Sequence, residues 1–87
     1  MKVFMKPIKM ISISEENGIL TPLKFQISNE EKQYITIKID NVCERNEEKL
    51  AGNRMLIYRC QSNIDGNLKV YELKYEISNC KWYLFKM

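Results

Sequence analysis

The stretch Gln33-Tyr34-Ile35-Thr36-Ile37-Lys38-Ile39-Asp40 decides the fold class. Ile35, Ile37 and Ile39 alternate with Tyr34, Thr36 and Lys38. Successive side chains of an extended chain point to opposite faces, so this pattern makes one apolar face and one polar face. Isoleucine and threonine branch at Cβ, which disfavours a helix and suits a pleated strand. The segment reads as a half-buried strand, its three isoleucines turned to a core.

Upstream, Pro7 to Ile13 is apolar and largely β-branched. Ile8 and Met10 flank Lys9, then Ile11 and Ile13 flank Ser12. This phase change at Met10-Ile11 suggests a β-bulge or a strand buried on both faces. Asn17-Gly18 follows, a pair that tolerates positive φ at both positions and so signals a hairpin turn. A second strand runs from Ile19 to Ser28, with Leu23, Phe25 and Ile27 on one face and Lys24, Gln26 and Ser28 on the other. Pro22 has no N–H to give a ladder and should mark an edge or the strand's start. The polar run Asn29-Glu30-Glu31-Lys32 is the next turn.

Downstream, Asn41 to Asn53 breaks the rhythm. Glu44 to Ala51 reads either as one or two helical turns ended by Gly52 as a C-cap, or as an ordered loop. A strand from Arg54 to Gln61 follows. Leu56, Tyr58 and Cys60 alternate there with Met55, Ile57 and Arg59, so both faces are partly apolar, as in a central strand. Asp65-Gly66-Asn67 turns the chain into Leu68 to Ile77, where Tyr71, Leu73, Tyr75 and Ile77 oppose Val70, Glu72, Lys74 and Glu76. After Ser78-Asn79 the last strand, Cys80 to Lys86, sets Trp82 and Leu84 against Lys81, Tyr83 and Phe85.

The expected fold is therefore all-β: one domain over residues 1–87, an antiparallel barrel-like meander of about six strands, SH3-like or OB-like, with at most one short helix near 44–51. An open sheet of that size would leave apolar surface wet. Curling brings Ile35, Ile37 and Ile39 together with Trp82 and Leu84 in one core.

The 87 residues suffice for one domain only. The net charge of +3 is small and uneven: residues 29–53 carry four basic and six acidic groups, residues 54–87 six basic and three acidic. Cys43, Cys60 and Cys80 are odd in number and far apart, which argues against a disulfide framework or a zinc ribbon and for reduced thiols in a cytoplasm. Met1 to Pro7 lacks the apolar core of a signal peptide, and no apolar run reaches the ~18 residues of a membrane span. The abundance of Ile, Lys and Asn, with a single alanine, suits an AT-rich bacterial genome.

The sequence contains no histidine. Ser-His-Asp and Cys-His catalysis are thereby excluded, and the commonest metal ligand with them. The pairs Glu15-Glu16, Glu30-Glu31 and Glu47-Glu48 lie in turns or the connector, where carboxylates are solvated rather than paired in a cleft. Gly18, Gly52 and Gly66 are isolated, so no phosphate-cradling loop is formed. No enzyme activity, metal or cofactor is implied. The one constellation with chemistry is lysine interleaved with aromatics: Tyr34 with Lys38; Lys69 with Tyr71 and Tyr75; Lys81 with Tyr83 and Phe85. Small β-barrels bind single strands in this way, aromatic rings stacking on bases and basic groups following phosphates. The same residues also suit a structural account, since Tyr and Phe favour strands and Lys guards edges.

Several stretches carry a resemblance: Lys6-Pro7-Ile8, Pro22-Leu23-Lys24-Phe25, Ile35 to Asp40, Lys49 to Arg54, Arg59-Cys60-Gln61-Ser62, Tyr71 to Tyr75 and Lys81-Trp82-Tyr83-Leu84. Through them the chain resembles a family of small β-domains of low-GC Gram-positive bacteria to which no function is assigned. More remotely it is similar to small domains found with error-prone DNA polymerases, which share the Pro-Ile start, the Pro-x-x-Phe strand and the terminal Trp-x-Leu. Where those domains carry an arginine-rich strand, this chain has Gln26 to Tyr34. The expected function is that of a non-catalytic accessory binding module. Its candidate nucleic-acid contacts are Lys69, Lys74, Lys81, Tyr71 and Tyr83. The alternative is a protein-interaction module, including a homodimer, built on an apolar patch of Phe4, Met5, Tyr83, Phe85 and Met87.

Overall fold

The computed structural model describes residues 1–87. It is all-β, with seven strands: β1 Val3–Ser14, β2 Leu20–Ser28, β3 Tyr34–Lys38, β4 Asn41–Leu50, β5 Asn53–Ile64, β6 Asn67–Glu76 and β7 Lys81–Lys86. They form one antiparallel sheet in the order β3-β2-β1-β7-β6-β5-β4, curled into a half-barrel. Every hydrogen-bonded neighbour is a sequence neighbour except β1 and β7, which join the ends of the chain. Beyond the strands that closure continues as Lys2 N–H to Met87 O at 2.9 Å and Met87 N–H to Lys2 O at 3.0 Å.

The sheet's two edge strands, β3 and β4, are consecutive in sequence, separated only by Ile39 and Asp40. This corner is stitched to both halves of the sheet. Ile39 N–H donates to Leu23 O at 2.9 Å and Asp40 N–H to Gln61 O at 3.1 Å. Ser62 Oγ lies 2.6 Å from Lys38 O and 2.6 Å from Tyr71 Oη. A carbonyl can only accept, so Ser62 donates to Lys38 and Tyr71 donates to Ser62. Asn63 N–H reaches Asp40 Oδ2 at 2.7 Å.

The expected helix at 44–51 is absent. Asn41 to Leu50 is a strand, paired along its length with β5 down to Leu50 opposite Asn53. Ala51 and Gly52 make the connecting turn, with φ of 51° and 84°. Positive φ at both central residues is the twist-matched hairpin geometry, so Gly52 serves a turn rather than a helix cap. Asp65 and Gly66, at 51° and 83°, turn β5 into β6 in the same manner.

Phe25, Ile37, Ile39, Leu56, Tyr58, Cys60, Tyr71, Leu73, Trp82 and Leu84 form the core. Ile37, Ile39, Trp82 and Leu84 are thus where the alternation puts them, but Ile35 is 45% exposed because it sits at the hairpin end of β3, beyond the covered part of the face. The phase change expected in β1 does not occur there. Ile8 and Met10 pack on the core, whereas Ile11 and Ile13 are exposed on the outer surface. The irregularity lies across the ladder in β2: Ile11 faces Lys24 and Ser12 faces Pro22, leaving Leu23 as the extra residue. Pro22, not Leu23, is therefore buried, at a bulge where its missing N–H breaks no ladder bond.

Polar groups inside the barrel are matched. Tyr58 Oη donates to Leu20 O across the core and accepts from Arg45 Nε at 3.3 Å. Lys6 Nζ donates to Ser28 O. No buried side-chain nitrogen or oxygen lacks a partner. The three cysteines are free, Cys60 buried and Cys43 and Cys80 exposed. Burial pushes the Cys60 thiol up to about 12, so this cysteine is a small core hydrophobe rather than a nucleophile. No helix is long and apolar enough to cross a membrane.

Candidate nucleic-acid interface

The structure does not bring the five sequence-derived contacts together. Tyr71 is 0% exposed, its ring edge-on to Phe25 with centroids 5.7 Å apart. Burial holds its hydroxyl well above the usual tyrosine range, while the bond to Ser62 pulls the other way. No base can reach this ring, so Tyr71 is corrected from stacking platform to core residue. The reason is phase: β6 turns Tyr71, Leu73 and Tyr75 inward and Glu72, Lys74 and Glu76 outward.

Lys74 faces outward yet is only 7% exposed. Its ammonium is 3.0 Å from Glu48 Oε2 and 3.8 Å from the centroid of the Phe85 ring. Both a carboxylate and an aromatic face already satisfy it, so Lys74 is corrected from phosphate contact to an internal ion pair that ties the β4 edge to the sheet. Tyr83 is half-buried, and its hydroxyl reaches Glu76 Oε1 at 3.4 Å. Burial first, then the Glu76 charge, disfavours its phenolate and holds the hydroxyl above the usual tyrosine range.

Lys69 and Lys81 are exposed but far apart. Lys69 stands opposite Ser62 near the β5–β6 turn, whereas Lys81 stands opposite Glu76 at the far end of β6. Seven residues of strand separate those levels, roughly 23 Å. Acids also neutralise this face. Arg59 is 3.8 Å from Glu72, and Glu76 accepts from Asn79 and Asn53, which hold its carboxyl below the usual range.

A different face collects unpaired positive charge. On β1, β2 and β3 the inward positions are taken by Met10, Phe25 and Ile37, which turns Lys9, Lys24 and Lys38 to solvent. The ladder sets Lys24 directly opposite Lys38, and Lys9 opposite Gln26. None of the three lysines takes part in an ion pair. Between them Gln26 Nε2 donates to Thr36 Oγ1 at 3.3 Å. Lys9, Ile11, Lys24, Gln26 and Thr36 line a groove of about 240 Å³ with no carboxylate in its wall. The nearest acid along β3, Asp40, is engaged by Asn63. At the other end of the same face Tyr34 is 70% exposed, four residues or roughly 13 Å along β3 from Lys38.

A second groove, about 380 Å³, is bounded by Pro7, Ile8, Met10, Cys80, Lys81 and Trp82, again without a carboxylate. No group of three or more Cys, Asp or Glu side chains converges as a metal site. Lys9, Lys24 and Lys38 were each readable as outward strand positions. What sequence could not supply was the register that makes neighbours of Lys24 and Lys38, because a one-residue slip in pairing moves a whole side-chain set to the other face.

Compared with known proteins, the chain matches no family model, no curated protein and no solved structure.

Proposed function

We propose that this chain is a non-catalytic accessory module of the bacterial cytoplasm that holds single-stranded nucleic acid on the outer face of β1, β2 and β3. The observation that carries the reading is the cross-strand placement of Lys24 against Lys38, with Lys9 nearby and no carboxylate in the adjoining groove. Strand-borne lysines of this kind follow a phosphate backbone, and an exposed ring such as Tyr34 offers a π-face to any base. The reading rests on these side chains alone. It moves the interface from β6 and β7, where sequence alone had set it, while keeping its chemistry of lysine and aromatic side chains on a β-surface.

Fluorescence anisotropy with a labelled single-stranded oligonucleotide tests the proposal. Phosphate contacts by these lysines should give measurable binding at low salt and a slope of log K against log salt between about −0.7 and −2, roughly −0.7 for each phosphate neutralised. Absence of binding at low salt, or affinity independent of salt, would overturn it.

The second reading, self-association, is favoured by Val3, Phe4 and Met5, which are exposed at the start of β1 where its ladder with β7 is irregular. Light scattering that shows only monomer at high concentration removes it.

A further inference from the structure

Charged residues that face each other across neighbouring strands are mostly of opposite sign in this sheet. Glu44 faces Arg59, Arg59 faces Glu72, Glu72 faces Lys86 and Glu76 faces Lys81. Two pairs break the pattern. Lys49 faces Arg54, but Arg54 is bound by Glu47 at 2.5 Å, which compensates it. Lys24 faces Lys38, and neither ammonium has a carboxylate within ion-pair distance. Like charges directly opposite on one face destabilise a sheet, so the free protein carries a local repulsion here that it avoids or neutralises elsewhere.

We infer that Lys24 and Lys38, flanked by Lys9, form a clamp for one tetrahedral phosphate group, whose negative charge replaces the missing carboxylate. The inference rests on the reading of this face as a nucleic-acid surface and gives that surface its first fixed point. An anion between the two ammonium groups converts their repulsion into two attractions. Lysine is suited to such a site because its compact charge can approach a phosphate oxygen from any direction. The groove beside the pair, lined by Lys9, Lys24, Ile11, Phe25, Gln26 and Thr36 and not by Lys38, carries no negative charge that would exclude the ligand. A clamp of this type reads phosphate and not base, so binding through it is indifferent to sequence.

Thermal unfolding of the full chain, with and without inorganic pyrophosphate, tests the clamp in the parent, Lys24→Gln, Lys38→Gln and the control Lys69→Gln. Without anion, Lys24→Gln and Lys38→Gln should raise Tm by roughly 1–5 °C, because each removes one member of a repulsive pair. Pyrophosphate should raise the Tm of the parent and of Lys69→Gln with concentration, and leave the other two nearly unchanged. A Tm in Lys24→Gln and Lys38→Gln at or below that of the parent without anion, or an equal pyrophosphate response in all four proteins, would overturn the clamp. The anisotropy experiment fails or succeeds separately. Loss of the pyrophosphate response in the two variants without oligonucleotide binding would uphold the clamp for a free phosphate compound and sink the nucleic-acid reading. Oligonucleotide binding with an unaltered pyrophosphate response would do the reverse.

Discussion

Replacing Trp82 by alanine should destabilise the domain by about 3–5 kcal/mol, the range seen when a buried aromatic is truncated. Trp82 sits on β7, the strand that joins the two ends of the chain into one sheet. Its ring lies 5.3 Å from Tyr58 and 4.9 Å from Tyr75, centroid to centroid, both at tilted angles that suit the ring quadrupoles. Across the other ladder it meets Ile8 of β1. One side chain therefore packs against β1, β5 and β6 together. A domain of this size is expected to have a total stability of only about 4–13 kcal/mol. At the low end of that range the variant would be partly or wholly unfolded at room temperature. Urea unfolding followed by far-ultraviolet circular dichroism measures this, since the substitution removes the only tryptophan. Trp82→Phe keeps a ring and should cost about 1–2 kcal/mol. A Trp82→Ala stability within 1 kcal/mol of the parent (roughly a fivefold change in the folded ratio) would contradict the role given to this seam.

Ser62→Ala should be the next most damaging change, at about 2–4 kcal/mol. The residue is small and contributes little apolar area; the effect comes from what it leaves behind. Its hydroxyl donates to Lys38 O and accepts from Tyr71 Oη in a fully buried position. Alanine orphans both groups, and a buried polar group without a partner costs about 1–3 kcal/mol. Tyr71→Phe removes only the donor that Ser62 can spare, so it should cost near 1 kcal/mol. In the double variant the orphaned tyrosine hydroxyl no longer exists, and the combined loss should fall below the sum of the two. Stabilities from urea titration give all three values. A Ser62→Ala loss under 0.5 kcal/mol, or strict additivity, would show that the corner between β3 and β4 does not depend on this network.

The strand rhythm was legible wherever a strand has one wet and one dry face. Ile37 and Ile39, Trp82 and Leu84, and the Asp65-Gly66 turn all follow from alternation and turn chemistry. Strand β4 was not legible because it is an edge. Glu44, Arg45, Glu47, Glu48 and Lys49 guard it with charge, and that guard erases the apolar period by which strands are recognised. The bulge at Leu23 was misplaced into β1 because exposed isoleucines look like a phase change when the sheet's curvature is unknown. The candidate site suffered from the same gap between face and register. Tyr71 and Lys74 stood out as residue types, yet one belongs to the core and the other to an ion pair with Glu48 from a strand that had not been recognised. Lys9, Lys24 and Lys38 come from three separate strands, and only the ladder assembles them.

The central claim is that binding belongs to the face of β1, β2 and β3 and not to net charge or to β6 and β7. Two triple variants of equal charge separate these: Lys9→Gln/Lys24→Gln/Lys38→Gln, and Lys49→Gln/Lys69→Gln/Lys81→Gln, whose lysines are all exposed and lie elsewhere. Oligonucleotide affinity at low salt should fall by about tenfold or more in the first, with its salt slope moving toward zero. The second should keep the parental slope and most of the affinity. Equal losses in both variants, or a loss confined to the second, would contradict the account.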